Sequence, residues 1–332
     1  MRVSDGPAAR GAVGKAPGKV ILLGEHAVVY GRTALAAAVD RHVVVTVTPR
    51  HGRACLVADP AIVRAGAPDP SDKLAAALAR AAAVLRVPLE GFEASVRSDL
   101  PVAVGLGSSA AFSVALIRAL GRFFDCRLDD PTVCAHAFEI EKLFHGFPSG
   151  IDNTVATYGG AIAFKRNASV RPLVLGCPVP LVVAVGQTPR ETQKTVTALR
   201  QRWAADPARY ESWFDEIDAL VTEAEGLVAT GALDALGVLM NRNQSLLDRL
   251  GVSTEELDRM VALARAHGAS GAKLTGGGGG GAVICLCPEE RERLVDAFAR
   301  AGWQAFAADI RRQDRGDDAI SDDVAERARP VA

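Results

Sequence analysis

The sequence from Phe92 to Phe124 reads FEASVRSDLPVAVGLGSSAAFSVALIRALGRFF. Its first seven residues alternate between apolar and polar side chains, which predicts a β-strand. A glycine-rich turn follows, and the chain from Ala110 onward is an uninterrupted run typical of a helix. A glycine-rich loop that opens a helix binds anions, because backbone N–H groups lack intrahelical partners and the helix dipole favours negative charge. This stretch therefore predicts a cradle for nucleotide phosphates.

Two more glycine-punctuated segments lie far from this loop, KAPGKVILLGEHAVVYG at residues 15–31 and KLTGGGGGGA at residues 273–282. Six consecutive glycines usually form a flexible linker. Here they lie between two short apolar strands, which instead predicts a close approach of the backbone to a ligand or to another loop. With three such loops, a role of Ser108 and Ser109 as helix caps alone becomes less favoured than a role in ligand binding.

Composition sets the broad class of the protein. The chain has 332 residues, 49% of them hydrophobic, and a net charge of −1. This length suits two domains, and the small net charge favours neither nucleic acid nor an anionic membrane as a partner. The sequence has no signal-peptide pattern and no run of 18 apolar residues that would span a membrane. Six cysteines without a CxxC pair predict reduced thiols and a cytoplasmic location.

Strand-like and helical stretches alternate without an internal repeat, which predicts a mixed α+β fold. A boundary near GCPVP at residues 176–180 divides the chain. We expect an N-terminal domain over residues 13–178 and a C-terminal domain over residues 179–310. Loop-like composition predicts flexible tails at residues 1–12 and 311–332.

Two carboxylates flank a tight turn in EIEKLFHGFPSGIDNTVATY, residues 139–158. Glu141 lies on a predicted helix, and Asp152 follows the turn at residues 148–150. Asp152 could be a helix N-cap, or it could be a general base or a metal-facing carboxylate. A Mg²⁺–phosphate site needs few oxygen ligands from its protein, so two carboxylates that reach one ligand from two directions would be sufficient.

Charged residues also occupy the first glycine segment. Lys19 is predicted at the start of an apolar strand, where lysines are usually solvated. Beside phosphates and a carboxylate, it would stabilise negative charge. Glu25 and His26 follow Gly24 at the end of this strand, and their apolar neighbours favour a substrate contact over a surface role.

Other nucleotide-binding patterns fit less well. Gly105, Gly107 and Ala110 match a loose dinucleotide fingerprint, but Asp125 ends the same helix instead of a following strand. A dinucleotide-binding oxidoreductase is therefore a weak alternative. A phosphate-binding P-loop at residues 13–20 fails because valines stand where the first glycine and the final Ser or Thr should be.

Taken together, the three segments resemble the GHMP small-molecule kinases, and within that superfamily the mevalonate kinase family. The resemblance rests on four strings: APGKVILLGEHAVVYG at 16–31, HGFPSGIDNTVATYGG at 145–160, NRNQSLLDRLGVS at 241–253 and KLTGGGGGG at 273–281. It implies a ribosomal-protein-like N-terminal domain and a ferredoxin-like C-terminal domain with extra helices. ATP and substrate would meet in the cleft between them, and the implied reaction is transfer of a phosphoryl group to the C5 hydroxyl of (R)-mevalonate.

The resemblance also implies residue roles. Asp152 matches the catalytic base, Lys19 the lysine that contacts it and the phosphate, and Ser109 and Glu141 the ligands of Mg²⁺. The residues that match the nucleotide loop are Ser98, Gly105, Leu106, Gly107, Ser108 and Ser109. Those that match substrate-contacting positions are Glu25, His26, Thr192 and Thr275. Relatives are often homodimers, so a homodimer is expected here.

The chain departs from the family pattern in a few places, including Phe112, where animal members have a tyrosine, and the segment after Asp309. Other acceptors therefore stay open, namely phosphomevalonate, homoserine or a sugar, as does a kinase acting at the 3-position or a decarboxylase-like enzyme. A non-catalytic sensor on the same fold is disfavoured because Lys19 and Asp152 are both present.

Overall fold

The computed structural model describes residues 11–59, 70–101, 104–145, 148–166, 168–188 and 192–312, although not the side chains of residues 70–72. The chain forms two sheets, each covered by helices. The predicted tails lie outside the described residues except at 11–12 and 311–312. None of the helices in the described part of the chain is long and apolar enough to cross a membrane.

The N-terminal sheet is built around one long strand, β2, which pairs with three neighbours. The other strands continue the sheet in the order β3-β4-β2-β5-β6, with β1 paired to β2. Apolar residues at every second position of β4 are buried, as the alternation in the sequence predicts. The strands are β1 (Ala12–Leu23), β2 (Ala34–Arg53), β3 (Cys55–Ala58), β4 (Glu90–Ser98), β5 (Ala161–Phe164) and β6 (Arg171–Leu173).

Helices cover this sheet and carry the glycine loop. The central helix is almost entirely buried because alanine and branched apolar residues cover nearly its whole circumference. It packs against β1 and β2, and the Leu106 carbonyl, directly before its N-terminus, accepts from the backbone N–H of Lys19 on β1. The elements are α1 (Pro70–Leu85), the central α2 (Ser108–Phe123), α3 (Asp130–His145), α4 (Ile151–Tyr158) and a 3₁₀ turn at Ala27–Tyr30.

The C-terminal sheet is antiparallel, with the order β10-β7-β9-β8. The six glycines at 276–281 join β8 to β9, so they form a connection inside the sheet and not a linker, as expected. The strands are β7 (Val179–Val185), β8 (Gly271–Thr275), β9 (Ala282–Leu286) and β10 (Gln304–Ile310). The helices are α5 (Thr192–Ala205), α6 (Pro207–Thr230), α7 (Leu233–Arg249), α8 (Glu255–Ala266) and α9 (Arg291–Arg300).

The two sheets share one continuous apolar core, which includes residues of β1 and β2 as well as β7, β8 and β9. Polar contacts also join them: the Asp309 N–H donates to Asp40 Oδ1 over 2.8 Å, and Arg41 Nη2 donates to the Ala307 carbonyl over 3.1 Å. The N-terminal and C-terminal halves therefore meet along β2 and β10, and β1 also meets β8, where the Ile21 N–H donates to Thr275 Oγ1.

The sequence did not predict every element. Helix α4 and the short edge strands β3 and β6 were missed, because they are only three to eight residues long and their periodicity is weak. Strand β1 also begins earlier than expected, at Ala12, and continues through Pro17 and Gly18. A register shift between Pro17 and Lys19 accommodates the proline, which cannot donate to the ladder.

Candidate active site

Lys19 lies in the interior of β1 and not at its start, which corrects the position expected from the sequence. Its backbone N–H donates to the Leu106 carbonyl over 2.8 Å, so the strand is joined to the glycine loop. The side chain is 5% exposed, and its Nζ lies 3.1 Å from Asp152 Oδ1 and 3.3 Å from the Gly105 carbonyl. One ammonium group thus connects the glycine loop to the carboxylate expected to act as a base.

Asp152 is the second residue of α4, whose N-cap is Gly150 with φ of 89°. The N-cap interpretation of Asp152 is therefore wrong. A carboxylate in the first turn of a helix is favoured by the helix dipole. The side chain is 30% exposed, so one part of it contacts Lys19 while another part can reach a bound molecule.

The glycine loop meets the requirements of a phosphate cradle. Gly107 is the N-cap of α2 and has φ of 70°, so no side chain caps the first turn of this helix. A Cβ at Gly107 would lie 2.8 Å from Cγ of Lys19, so only glycine lets the loop and the lysine pack this closely. Ser108 and Ser109 are the first two residues of the helix, and Ser109 is directed at Glu141.

Glu141 is a buried carboxylate on α3. Ser109 Oγ donates to its Oε2 and Ser113 Oγ to its Oε1, both over 3.2 Å. Burial and, to a smaller extent, the negative charge of Asp152 together raise the pKa of Glu141 to about 8, against the lowering effect of the two hydroxyl bonds and Lys19. A buried carboxylate beside a second carboxylate is an electrostatic arrangement that a cation would stabilise.

His145 was not singled out from the sequence. Its Nε2 lies 3.1 Å from Ser109 Oγ and 3.9 Å from Glu141 Oε2, one turn along α3. The signal was available, because residues four apart share one face of a helix and Glu141 was already predicted as a site residue. The imidazole is thus a second polar partner of the Ser109 hydroxyl, beside Glu141.

Glu25 lies beside His26 in the sequence, but its side chain has no exposed surface. One carboxylate oxygen forms an ion pair with Lys273 of β8, and the other accepts from Asn243 Nδ2 over 3.2 Å. Burial raises the pKa of Glu25 and lowers that of Lys273, while the opposite charge of each partner offsets part of the shift. The carboxylate that was expected to contact the substrate is therefore fully buried and bonded to protein groups.

His26 is the centre of an unusual turn. Its φ of 61° and ψ of −48° place it in a region that side chains rarely adopt, and the Ala27 N–H donates to the Glu25 carbonyl over 2.7 Å. This is a γ-turn with positive φ at its central residue, a strained conformation that costs about 1–3 kcal/mol. Strain of this size persists only where the surrounding structure holds the residue in place.

The remaining predicted residues have mostly structural partners. Ser98 Oγ bonds to the backbone of Leu100, at the end of β4. Thr275 is buried, and its Oγ1 accepts from Ile21 N over 2.9 Å. Thr192 is the half-buried first residue of α5. Glu256, another residue that the sequence did not indicate, accepts from the N–H groups of residues 187 and 188, which precede this helix.

Comparison with known proteins accounts for this arrangement. Residues 73–160 match the GHMP kinases N terminal domain, and residues 224–304 match the GHMP kinases C terminal domain. The mevalonate kinase of Methanothermobacter thermautotrophicus is 36% identical over 89% of this chain and 96% of its own length. The chain belongs to the mevalonate kinase family of the GHMP kinases. It is therefore an ATP-dependent small-molecule kinase, and the oxidoreductase alternative is excluded.

Other members of the mevalonate kinase family support the assignment. The enzyme of Aeropyrum pernix is 36% identical over 91% of this chain and 96% of its own length. The crystal structure of L. major mevalonate kinase in complex with R-mevalonate superposes with a TM-score of 0.83 at 29% identity, over 92% of this chain and 97% of that one. The expected two-domain GHMP kinase fold is thus confirmed.

Proposed function

We propose that this chain transfers the γ-phosphoryl group of ATP to the C5 hydroxyl of (R)-mevalonate, giving 5-phosphomevalonate. The observation that carries the proposal is the contact of Lys19 with Asp152 and Gly105, which joins a candidate base to a phosphate-binding loop. Mevalonate as acceptor is supported by the relatives at 36% identity and by a superposable structure that binds R-mevalonate.

Asp152 would orient the acceptor hydroxyl and accept its proton. Phosphoryl transfer passes through a loose transition state, so positioning and charge neutralisation supply most of the rate enhancement. Asp152 is partly exposed and held from one side by Lys19, so it is fixed in place while it stays accessible to a hydroxyl. A general base of this kind contributes about 10²–10⁴-fold to the rate.

The glycine loop and Lys19 would bind the phosphates. N–H groups in the first turn of α2 would donate to phosphate oxygens, and the helix dipole adds positive potential there. The buried ammonium of Lys19 would be shared between Asp152 and the transferring group. Its charge is worth more in this nearly water-free position than in bulk solvent.

Mg²⁺ would be held by Ser109 and Glu141. The donor set fits this cation, because Mg²⁺ takes one or two protein oxygens together with water and substrate phosphates. In the described part of the chain, no three His, Cys, Asp or Glu side chains cluster closely enough to hold a metal by themselves. When bound, Mg²⁺ would neutralise phosphate charge, and the raised pKa of Glu141 means that its carboxyl group must give up a proton to serve as a ligand.

Substrate selection is proposed for the turn that carries His26, with Thr192 at the start of α5 as a second contact. Glu25 and Thr275 would hold the residues of this pocket in position, because both are bonded to protein groups. The binding of Ser98 to the nucleotide, a homodimeric assembly and a cytoplasmic location stay predictions of the sequence.

The test is an ADP-release assay with Mg²⁺ and four acceptors measured side by side: mevalonate, phosphomevalonate, homoserine and galactose. We expect turnover on mevalonate, with ¹³C and ³¹P NMR of the product showing phosphate on C5. Turnover on another acceptor alone would refute the proposed substrate and keep the kinase assignment. Phosphate on the C3 oxygen would refute the proposed regiochemistry.

A further inference from the structure

The strained turn at His26 needs something to hold it. Ala27, the residue that closes the γ-turn, begins a 3₁₀ turn of only four residues, which is too short to impose the conformation alone. On the other side, Gly24 has φ of 101°, and a Cβ there would lie 2.5 Å from Cα of Ala34. The chain is therefore tightly packed against β2 directly before the turn. The next residue, Glu25, has the side chain that fixes the turn in place.

That anchor comes from the other half of the molecule. Glu25 is bonded to Lys273 on β8 and to Asn243 on α7, and all three side chains are buried. These partners are more than 200 residues away in sequence. The position of Glu25, and with it one end of the His26 turn, is thus set by the C-terminal half.

Strand β8 holds the same segment at a second point. Lys273 and Thr275 are two residues apart, so they share one face of the strand. Thr275 Oγ1 bonds to both Ile21 N and Ile21 O, at 2.9 and 3.2 Å. Lys273 Nζ also donates to the Leu274 carbonyl over 2.6 Å and lies 3.4 Å from the Ile21 carbonyl. The end of β1 is therefore fixed directly before the turn.

We propose that the buried Glu25–Lys273–Asn243 network is a positioning device that holds His26 in its strained turn and so sets the acceptor pocket between the two halves. Glu25, Lys273 and Asn243 are positioning residues that act through His26. The assignment of the pocket to an acceptor rests on the function proposed above, whereas the hold on His26 does not.

Stability alone does not account for such a network. Replacing a buried ion pair by apolar residues of similar size is often neutral or stabilising, because desolvation of two charges offsets their attraction. What these polar partners add is a fixed orientation. The Glu25 carboxylate is held by the Lys273 ammonium on one oxygen and by the Asn243 amide on the other, so it has one orientation. A strained residue next to it gains a fixed position from that orientation.

The variants that test this are Glu25→Gln, Lys273→Met and the double variant that carries both changes. A single change leaves one buried charge unpaired and can unfold the protein, so the double variant, which removes both charges, carries the test. Asn243→Ala is the milder alternative, since it leaves the ion pair in place and removes only one hydrogen bond. The control is Arg291→Met with Asp309→Asn, which removes a partly buried ion pair within the C-terminal half.

Two readouts separate positioning from stability. The first is the ¹³C–¹H NMR resonance of the His26 imidazole, assigned among the six histidines by its absence in His26→Gln. The second is KM for the acceptor that the wild-type protein phosphorylates, measured against kcat and against KM for ATP. We expect the double variant to fold, to shift the His26 resonance and to raise the acceptor KM about ten- to a hundredfold, with KM for ATP unchanged. Asn243→Ala should move both quantities less, and the control should move neither.

The proposal is overturned if the folded double variant keeps the wild-type His26 resonance or the wild-type acceptor KM. Should the double variant not fold, an unchanged resonance or KM in Asn243→Ala overturns it equally. Failure of the proposed function would look different: the wild-type protein would not turn over mevalonate, yet the resonance of His26 would still report on the network.

Discussion

At the scale of single residues, the site depends on one lysine with two partners. Lys19 reaches the Gly105 carbonyl and Asp152 from the middle of a strand, where its side chain is almost fully buried. A lysine ammonium in such a position is desolvated, so its charge acts strongly on whatever lies beside it. The orientation of Asp152 follows from this contact.

We predict that Asp152→Asn lowers kcat about 10²–10⁴-fold while the fold stays intact. The amide keeps the shape of the carboxylate but cannot accept the proton of the acceptor hydroxyl. Steady-state turnover with mevalonate and thermal unfolding of the same sample measure both parts. Asp130→Asn, at a half-exposed carboxylate of the neighbouring helix, is the control and should keep wild-type turnover. Near-normal turnover of Asp152→Asn would remove Asp152 from the role of base.

A second residue-scale prediction concerns Glu141. Its pKa is raised from 4.5 to about 8 in the folded state, so the stability that its protonated form provides is complete below pH 4.5 and is lost as the pH rises through about 8. At about 1.4 kcal/mol per pKa unit, the change amounts to several kcal/mol. Without Mg²⁺, Glu141→Gln should therefore become more stable relative to wild type as the pH rises from 5 to 9.

Urea unfolding across this pH range measures the difference in free energy of unfolding between the two proteins. Glu139→Gln is the matched control, because it removes a carboxylate from the same helix at a position where the side chain is 39% exposed. A pH-independent difference for Glu141→Gln would contradict the raised pKa.

At the scale of elements, the loop before α2 depends on glycine for two separate reasons, backbone conformation and space. Gly107 has φ of 70°, and the position of its missing Cβ is 2.8 Å from Lys19 Cγ. The first reason is shared by many turn glycines, whereas the second connects the loop to Lys19, the lysine proposed to stabilise the transferring phosphoryl group.

Gly107→Ala should therefore cost more than the strain of its backbone conformation. The strain of an alanine at positive φ is roughly 1–2 kcal/mol. Gly52→Ala shares that strain, with φ of 88°, but a Cβ there meets nothing within 4 Å, so it is a matched control. We expect a larger loss of stability for Gly107→Ala than for Gly52→Ala, and at least a tenfold lower kcat/KM for Gly107→Ala alone, because Lys19 must move. Equal activity of the two variants would show that the close contact has no catalytic role.

At the scale of the whole molecule, the two sheets are joined by a shared core and by the bonds from β8 to β1. All three tryptophans, Trp203, Trp213 and Trp303, lie in the C-terminal half, whereas helices occur in both. Tryptophan fluorescence therefore reports on one half, and far-ultraviolet circular dichroism reports on both. The two signals can show whether the halves unfold together.

We predict one cooperative transition in urea, with the same midpoint by both signals, because buried residues of both halves form one apolar core. Thr275→Val should separate the two midpoints or lower both. It removes two hydrogen bonds to Ile21 and leaves buried groups unpaired, which costs about 1–3 kcal/mol of unfolding free energy. Thr230→Val, at an exposed hydroxyl bonded within its own helix, is the control. Two separate transitions in the wild-type protein would show that the halves fold independently.

Much of this architecture could be predicted from the sequence because it depends on local patterns. The alternation in β4 and the helical run of α2 are both properties of adjacent residues. The resemblance to the kinase family also implied that Lys19 contacts Asp152. In the structure, Lys19 Nζ lies 3.1 Å from Asp152 Oδ1. Short elements such as α4 were missed because eight residues carry too little periodicity.

The sequence by itself determined the α+β class, the three glycine segments and the candidate site residues Lys19 and Asp152, since each depends on residue type and near neighbours. Only the tertiary structure decided that Glu25 is buried against Lys273 and that Thr275 holds β1. These contacts join positions 248 and 254 residues apart. Burial and ion pairing depend on which surfaces the folded chain brings together, and no local pattern specifies that.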